Sequence, residues 1–101
     1  MAGSYAARIA TGHGEIWVVN TAGKIYRMAG ADWVKMAGTD GRDITVTNDG
    51  KVFLTNRVGK IYQRTGNTWV QLEGSDGVTI AANNHKVVMA NTKGRLYFRT
   101  Y

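Results

Sequence analysis

The chain has 101 residues, which is enough for one domain, and its 44% hydrophobic and 10% aromatic content excludes a disordered protein. Cysteine is absent, and this excludes disulfides, thiolate metal sites and a thiol nucleophile. The formal net charge of +6 favours an anionic partner, although the same charge also serves solubility.

The N-terminal segment MAGSYAARIATG has neither the basic start nor the apolar core of a signal peptide. No apolar window reaches the length of about 18 residues that predicts a membrane span. We therefore expect the protein to be cytoplasmic, or to be secreted by a route that uses no signal peptide.

A repeat with steps of 36 and 35 residues dominates the sequence. Asparagine, glycine, tyrosine, isoleucine and a cation each recur once per copy, and tryptophan recurs in the first two copies. We interpret residues 1–101 as a single domain of three repeats, at about 5–37, 43–73 and 78–101. The matching sets are Asn20, Asn56 and Asn91; Gly23, Gly59 and Gly94; Lys24, Lys60 and Arg95; Tyr26, Tyr62 and Tyr97; Ile9, Ile44 and Ile80; and Trp33 with Trp69.

Each complete copy is predicted to contain four short strands. In the middle copy they span 44–47, 51–56, 60–65 and 68–73, where β-branched and aromatic residues are frequent. Asp49-Gly50 predicts a type I′ hairpin turn between the first two strands. The first copy has turns at 12–14, 21–23 and 30–31, and the third copy ends after its third strand. No segment has a sustained 3.6-residue apolar period, so we expect about eleven strands and no helix.

Tandem four-stranded antiparallel units are typical of β-propeller blades. Neighbouring blades bury apolar faces against each other, so three blades leave two such faces open. Propellers close with roughly 4–8 blades. We therefore predict an all-β homodimer that closes a six-bladed ring with its two-fold on the propeller axis, the third blade of each chain lacking its outer strand. The alternative is a single-chain β-sandwich, which does not need a strict internal repeat.

The segments IWVVNTAGKIYRMAGADWVKMAG and VFLTNRVGKIYQRTGNTWVQLEG resemble the tectonin repeat. The third copy departs from it, since Val88 stands where the first two copies have Trp17 and Phe53. The resemblance covers nearly the whole chain and implies a β-propeller, commonly six-bladed, that is frequently a carbohydrate-binding lectin. Family members usually carry all blades in one chain. We therefore expect this chain to be a fragment, natural or engineered, that rebuilds the ring by self-association.

No group of residues predicts catalysis or a metal site. His13 and His85 both fall in hairpin turns, and most of the seven acids fall in turns where a carboxylate bonds its own backbone. A metal site needs clustered ligands, and glycoside hydrolysis needs a pair of carboxyl groups. We expect a non-enzymatic protein without cofactor or metal, and no nucleic-acid partner, because no recognition motif is present.

A sugar site needs polar groups for hydroxyls and an apolar plate for the C–H face of the ring. We expect such sites near blade junctions, on the rim where loops that cross between blades meet the turns between second and third strands. Asparagine there can instead form the turn, and a tryptophan repeated in each blade can instead pack the blades. The predicted sugar-binding residues are Asp40, Arg42, Asp76, Asn20, Asn56, Asn91, Trp33 and Trp69.

The cations support a competing hypothesis. In a dimer they would form rings that could hold phosphate or acidic sugar, although long cationic side chains also cover apolar strand edges. Three functions therefore remain open: a lectin for glycans with repeated shallow sites, a self-assembling scaffold without a ligand, and a binder of anionic lipid, glycolipid or lipopolysaccharide surfaces. The cations concerned are Lys24, Lys60 and Arg95, followed three or four residues later by Arg27, Arg64 and Arg99.

Overall fold

The computed structural model describes residues 6–38, 40–66, 68–72, 77–83 and 86–100. Within these residues there are eleven strands and no helix, and so no helix that could cross a membrane. The strands are β1 (Ala6–Gly12), β2 (Glu15–Asn20), β3 (Ile25–Ala29), β4 (Asp32–Lys35), β5 (Gly41–Val46), β6 (Val52–Asn56), β7 (Ile61–Thr65), β8 (Thr68–Leu72), β9 (Thr79–Ala82), β10 (Lys86–Ala90) and β11 (Leu96–Thr100).

The strands form three antiparallel sheets in which chain neighbours pair. Strands β1 to β4 form the first sheet, β5 to β8 the second, and β9 to β11 the third; we name them blade 1, blade 2 and blade 3. The all-β class and the four-stranded antiparallel unit of the first two copies are therefore confirmed. Strand β5 begins at Gly41, so Arg42, which the sequence placed in a crossing loop, belongs to the strand.

The turns between second and third strands share one geometry. In blade 1 the Gly23 N–H donates to Asn20 O and the Asn20 N–H donates to Lys24 O, at 3.0 and 2.9 Å. Gly23 has φ of 81°, and a Cβ there would lie 2.8 Å from the Asp40 Cα. These are the features of a type I turn followed by a left-handed glycine that forms a bulge. Residue 23 must therefore be glycine, because its φ is positive and because a side chain there would collide with the backbone of Asp40.

The turn between β5 and β6 has the same geometry, so the predicted type I′ turn at Asp49-Gly50 is wrong. A type I′ turn needs positive φ at both central residues. Here Gly50 has φ of 92°, but the φ of Asp49 is not positive. The Thr47 N–H donates to Lys51 O across a three-residue loop. The two-residue type I′ turn lies instead in blade 1, at His13 and Gly14, with φ of 53° and 71°.

Apolar side chains between neighbouring blades form the core. At the junction of blades 1 and 2, Trp17 is buried with residues from both sheets, and Tyr62 and Trp69 pack around this cluster. At the junction of blades 2 and 3, Phe53 takes the corresponding place. The buried members are Trp17, Val19, Ile25, Ile44, Val46, Val52 and Leu54 at the first junction, and Phe53, Ile61, Ile80, Val87 and Met89 at the second.

One buried carboxylate connects all three blades. Asp43 lies in β5 of blade 2, where its Oδ1 accepts a hydrogen bond from the Ile44 N–H at 2.9 Å. Its Oδ2 accepts from the Ile80 N–H of blade 3 at 2.8 Å. The Arg8 Nε of blade 1 lies 3.7 Å from Oδ1. Because a buried N–H without an acceptor is costly, this side chain constrains how the inner strands are arranged.

Replacing Asp43 with alanine should therefore lower the free energy of unfolding by about 1–3 kcal/mol, since the buried Ile80 N–H loses its acceptor. Urea denaturation at one fixed protein concentration measures the change. The matched control is Asp32→Ala, which removes an exposed acid from β4 and should change stability by less than about 0.5 kcal/mol. Equal effects of the two substitutions would contradict the role assigned to Asp43.

Candidate ligand-binding cleft between blades 1 and 2

The loops that cross between blades lie against the turns between second and third strands, as the sequence predicted. The Gly41 N–H donates to Gly23 O at 2.9 Å, and the Gly77 N–H repeats this bond to Gly59 O at 3.1 Å. We name this edge of the sheets, formed by residues 20–24, 36–38, 40–42 and 56–60, the crossing-loop rim. Four of the polar residues predicted to bind sugar lie on it: Asn20, Asp40, Arg42 and Asn56.

Asp40 and Arg42 are both exposed on the crossing-loop rim. Asp40 has φ of 60°, a left-handed conformation that aspartate tolerates, and its C=O accepts from the Arg57 N–H at 2.9 Å. Arg42 lies at a β-bulge, where the pairing shifts between Gly41 and Asp43. The two residues lie on either side of Gly41, at the point where the chain enters β5. Their binding of sugar stays a prediction.

Each of the three predicted asparagines holds its own turn. The Asn20 Oδ1 accepts from the backbone N–H groups of Ala22 and Lys24 at 3.0 and 2.9 Å. The same pair of bonds is formed by Oδ1 of Asn56 and of Asn91. This is the turn-forming role that the sequence left open beside sugar binding. These contacts occupy the carbonyl oxygens, so any sugar contact would fall to the amide nitrogens.

Trp69 packs between blades. Its ring centroid lies 6.3 Å from that of Trp17, with the planes at 71°, and its Nε1–H donates at 2.8 Å to the C=O of Ala37, which follows β4 of blade 1. Trp33 occupies the equivalent position in β4 and is half-buried. These contacts support the blade-packing role for Trp69. The eighth predicted residue, Asp76, lies outside the described residues.

A cleft opens at the opposite edge of the junction between blades 1 and 2. Successive strands run in opposite directions, so the turns after β1, β3, β5 and β7 lie on the rim away from the crossing loops. The cleft on this rim is open to solvent and has a volume of about 190 Å³. We name it the Arg27–Arg64 cleft; its walls are Glu15, Trp17, Arg27, Gly50, Val52, Arg64 and Gly66.

Trp17 positions the polar groups of the cleft. Its Nε1–H donates to Glu15 Oε1 at 2.8 Å. The Arg64 guanidinium lies over the Trp17 ring at 5.3 Å and over the Trp69 ring at 5.8 Å, both within the range of cation–π attraction. The buried indole of Trp17 thus orients a carboxylate and supports a guanidinium.

Two guanidinium groups enter the cleft without matching acceptors. The Arg27 Nε and the Arg64 Nη1 are buried and have no hydrogen-bond partner within the described part of the chain. Burial lowers the pKa of the Arg64 guanidinium, the positive charge of Arg27 lowers it further, and Glu15 acts in the opposite direction. The cleft therefore holds two partly desolvated cations and one carboxylate.

The pairing of Arg27 and Arg64 follows from a one-residue offset in the repeat. Arg27 comes three residues after Lys24, whereas Arg64 comes four residues after Lys60. Successive side chains of a strand point to opposite faces, so the two arginines face each other across one junction. The sequence interpretation grouped them as ring-forming cations and omitted Glu15 and Trp17 from the predicted site. The two arginines occupy adjacent positions of the repeat, and adjacent side chains of a strand point to opposite faces of the sheet. This was the signal in the sequence that could have located the cleft.

No metal-binding cluster is present among the residues that the structure describes. A group of three or more histidine, aspartate or glutamate side chains close enough to share an ion is not found there. Glu15 is the one carboxylate among the seven cleft residues.

Comparison with known protein families gives a match that spans nearly the whole chain. The model of the Tectonin domain matches residues 5–101, a range that includes all three blades and the Arg27–Arg64 cleft. No curated protein shows a significant match. The match agrees with the resemblance of the first two copies to the tectonin repeat. The chain therefore belongs to the Tectonin family, whose domain is of the propeller type.

Proposed function

We propose that the protein is a non-catalytic lectin whose ligand sites lie at blade junctions. The observation that carries this proposal is the Arg27–Arg64 cleft, where N–H groups and a carboxylate converge on open space between two sheets. Such groups form charge-assisted hydrogen bonds with sugar hydroxyls. The Trp17 contacts hold them in place before a ligand arrives, which lowers the ordering cost of binding. Membership in a family linked to lectin-like binding supports the same function.

The composition of the cleft argues against glycoside hydrolysis. Retaining and inverting glycosidases in most families use two carboxyl groups on either side of the scissile bond. Glu15 has no second carboxylate beside it among the cleft residues, and its Oε1 accepts the Trp17 N–H. Binding without turnover is the activity that this arrangement suits.

The open face of blade 1 supports assembly with a second copy. Ile9 of β1 is 66% exposed, whereas its repeat equivalent Ile44 is 4% exposed at the junction with blade 1. Ile16 is likewise exposed, whereas its equivalents Val52 and Val87 are buried. The residues that seal internal junctions are thus left uncovered where blade 1 has no neighbour.

The open face of blade 3 shows the complementary pattern. Leu96 of β11 is 74% exposed, whereas its equivalents Ile25 and Ile61 are buried. Val88 and Phe98 are also exposed on this sheet. One chain therefore carries both halves of a blade junction, one at each end. Two chains joined at both ends would make six blades, within the range of roughly 4–8 at which propellers close.

A glycan array of neutral and acidic glycans tests the lectin proposal. The wild-type protein should bind a subset of the glycans, and Arg64→Met should reduce those signals at least tenfold, because a guanidinium contact is removed. Methionine is the natural residue at the equivalent position of blade 1, Met28, so the variant is expected to fold. Lys93→Gln, an equal charge change at an exposed turn, should retain binding. An array that stays blank at high protein concentration would refute the proposal.

Native mass measurement tests the assembly. The wild-type chain should be a dimer, and Leu96→Lys should raise the dimer dissociation constant at least tenfold, about 1.4 kcal/mol, by placing a charge in the interface. Val58→Lys is the matched control, since Val58 is 73% exposed but lies in a turn rather than on an end face. A folded wild-type monomer, or equal effects of the two lysines, would exclude closure by a second copy.

A further inference from the structure

The Arg27–Arg64 cleft carries more positive than negative charge. Two guanidinium groups line the cleft, and Glu15 is the single carboxylate among the lining residues that the structure describes. Neither arginine belongs to the ion pairs seen among the described residues, which join Arg8 to Asp43 and Lys51 to Asp49. The mutual repulsion of two partly buried cations is relieved when an anion lies between them.

The donors that lack partners are of the type that binds oxyanions. A guanidinium presents its N–H groups as a planar fork that matches carboxylate, sulfate or phosphate. Arg27 Nε and Arg64 Nη1 are buried without acceptors in the described part of the chain, and they come from two different blades. Arg64 is held against Trp17 and Trp69, so its donors are already oriented. A neutral hydroxyl can accept from these donors but brings no charge, whereas an oxyanion accepts from both and also offsets the excess positive charge of the two guanidinium groups.

The size of the cleft limits the ligand. The cleft has a volume of about 190 Å³. It is smaller than the roughly 300–1,000 Å³ of pockets for drug-sized ligands. The cleft therefore has room for one charged substituent with part of its sugar ring, and the rest of a glycan would extend outside.

The site is built once in each chain. At the junction of blades 2 and 3 the residues equivalent to Glu15, Trp17 and Arg27 are Lys51, Phe53 and Gln63. The arginine pair is consequently not a general feature of the repeat. A closed dimer would carry two such clefts on opposite sides of the ring.

We infer that the Arg27–Arg64 cleft binds the anionic group of an acidic sugar, a carboxylate, sulfate or phosphate, with one site per chain. The inference rests on the proposed lectin function and specifies its substrate class. Arg27 and Arg64 bind the oxyanion from the two blades, and Glu15 accepts a neighbouring sugar hydroxyl. Selectivity for acidic glycans over neutral ones follows from this charge balance.

Calorimetric titration of the intact protein with matched glycosides tests the inference. Methyl β-D-glucuronide should bind at least tenfold more tightly than methyl β-D-glucoside, with one site per chain. Glucose 6-sulfate and glucose 6-phosphate, titrated in parallel, show which oxyanion the cleft prefers. Equal affinity for the charged and neutral glycosides would overturn the inference without needing any variant.

Arg27→Gln identifies the cleft as the place of binding. Glutamine is the natural residue at the equivalent position of blade 2, Gln63, and circular dichroism checks that the variant folds. We expect its affinity for the preferred charged sugar to fall at least tenfold, with Lys93→Gln within twofold of wild type. Arg27→Lys should recover only part of the affinity, since lysine keeps the charge but lacks the fork. An unchanged affinity in Arg27→Gln would contradict the assignment.

Four further outcomes separate this inference from the proposed function and from other anionic ligands. Binding of neutral glycans on the array without preference for charged glycosides would overturn the inference and leave the lectin proposal standing. Absence of binding to every glycan and glycoside would overturn both.

Inorganic phosphate binding as tightly as glucose 6-phosphate would show a phosphate site rather than a sugar site. Binding to phosphatidylserine vesicles without binding to any charged glycoside would instead indicate a lipid surface as the partner.

Discussion

Burial of apolar sheet faces between neighbouring blades is the constraint on which the rest of this structure depends. Both faces of blade 2 are covered, one by blade 1 and one by blade 3. Trp17 and Phe53 hold the same repeat position at the two junctions and are both fully buried. Burial of apolar area contributes roughly 25 cal/mol per Å². A single blade cannot gain this free energy alone. The stability of the fold therefore comes from contacts between stacked blades rather than from within one repeat.

Directional polar contacts set the arrangement of the blades that apolar contact holds together. Apolar packing is not directional, whereas hydrogen bonds have defined lengths and angles. Asp43 joins the inner strands of three blades, and Gly41 and Gly77 tie each crossing loop to the turn of the preceding blade. These bonds lie at the inner strands and at the crossing-loop rim. The opposite rim lacks crossing loops, and it is there that a cleft is open to a ligand.

The same residues connect core packing to the candidate site. Trp17 is the largest buried side chain of its junction, yet its Nε1–H extends to Glu15 and its ring lies beneath Arg64. A change in the core at Trp17 would therefore alter the position of two polar groups in the cleft. Because blades 1 and 2 each supply one arginine, the site exists only when the sheets are stacked. Fold stability and the geometry of the candidate site thus depend on one interface.

The sequence by itself determined the repeat, the strand pattern and the family, because recurring residues such as Asn20, Asn56 and Asn91 form local turns whose geometry is encoded in a few neighbours. It also located the crossing-loop rim, since strand order alone decides which turns share an edge. Turn type at Gly50 was mispredicted because Asp-Gly is compatible with two hairpin geometries. Strand alternation can assign Arg27 and Arg64 to one junction, but only the tertiary structure decided that they line an open cleft with Trp17 beneath Arg64. The volume of that cleft and the burial of its donors depend on how the two sheets pack.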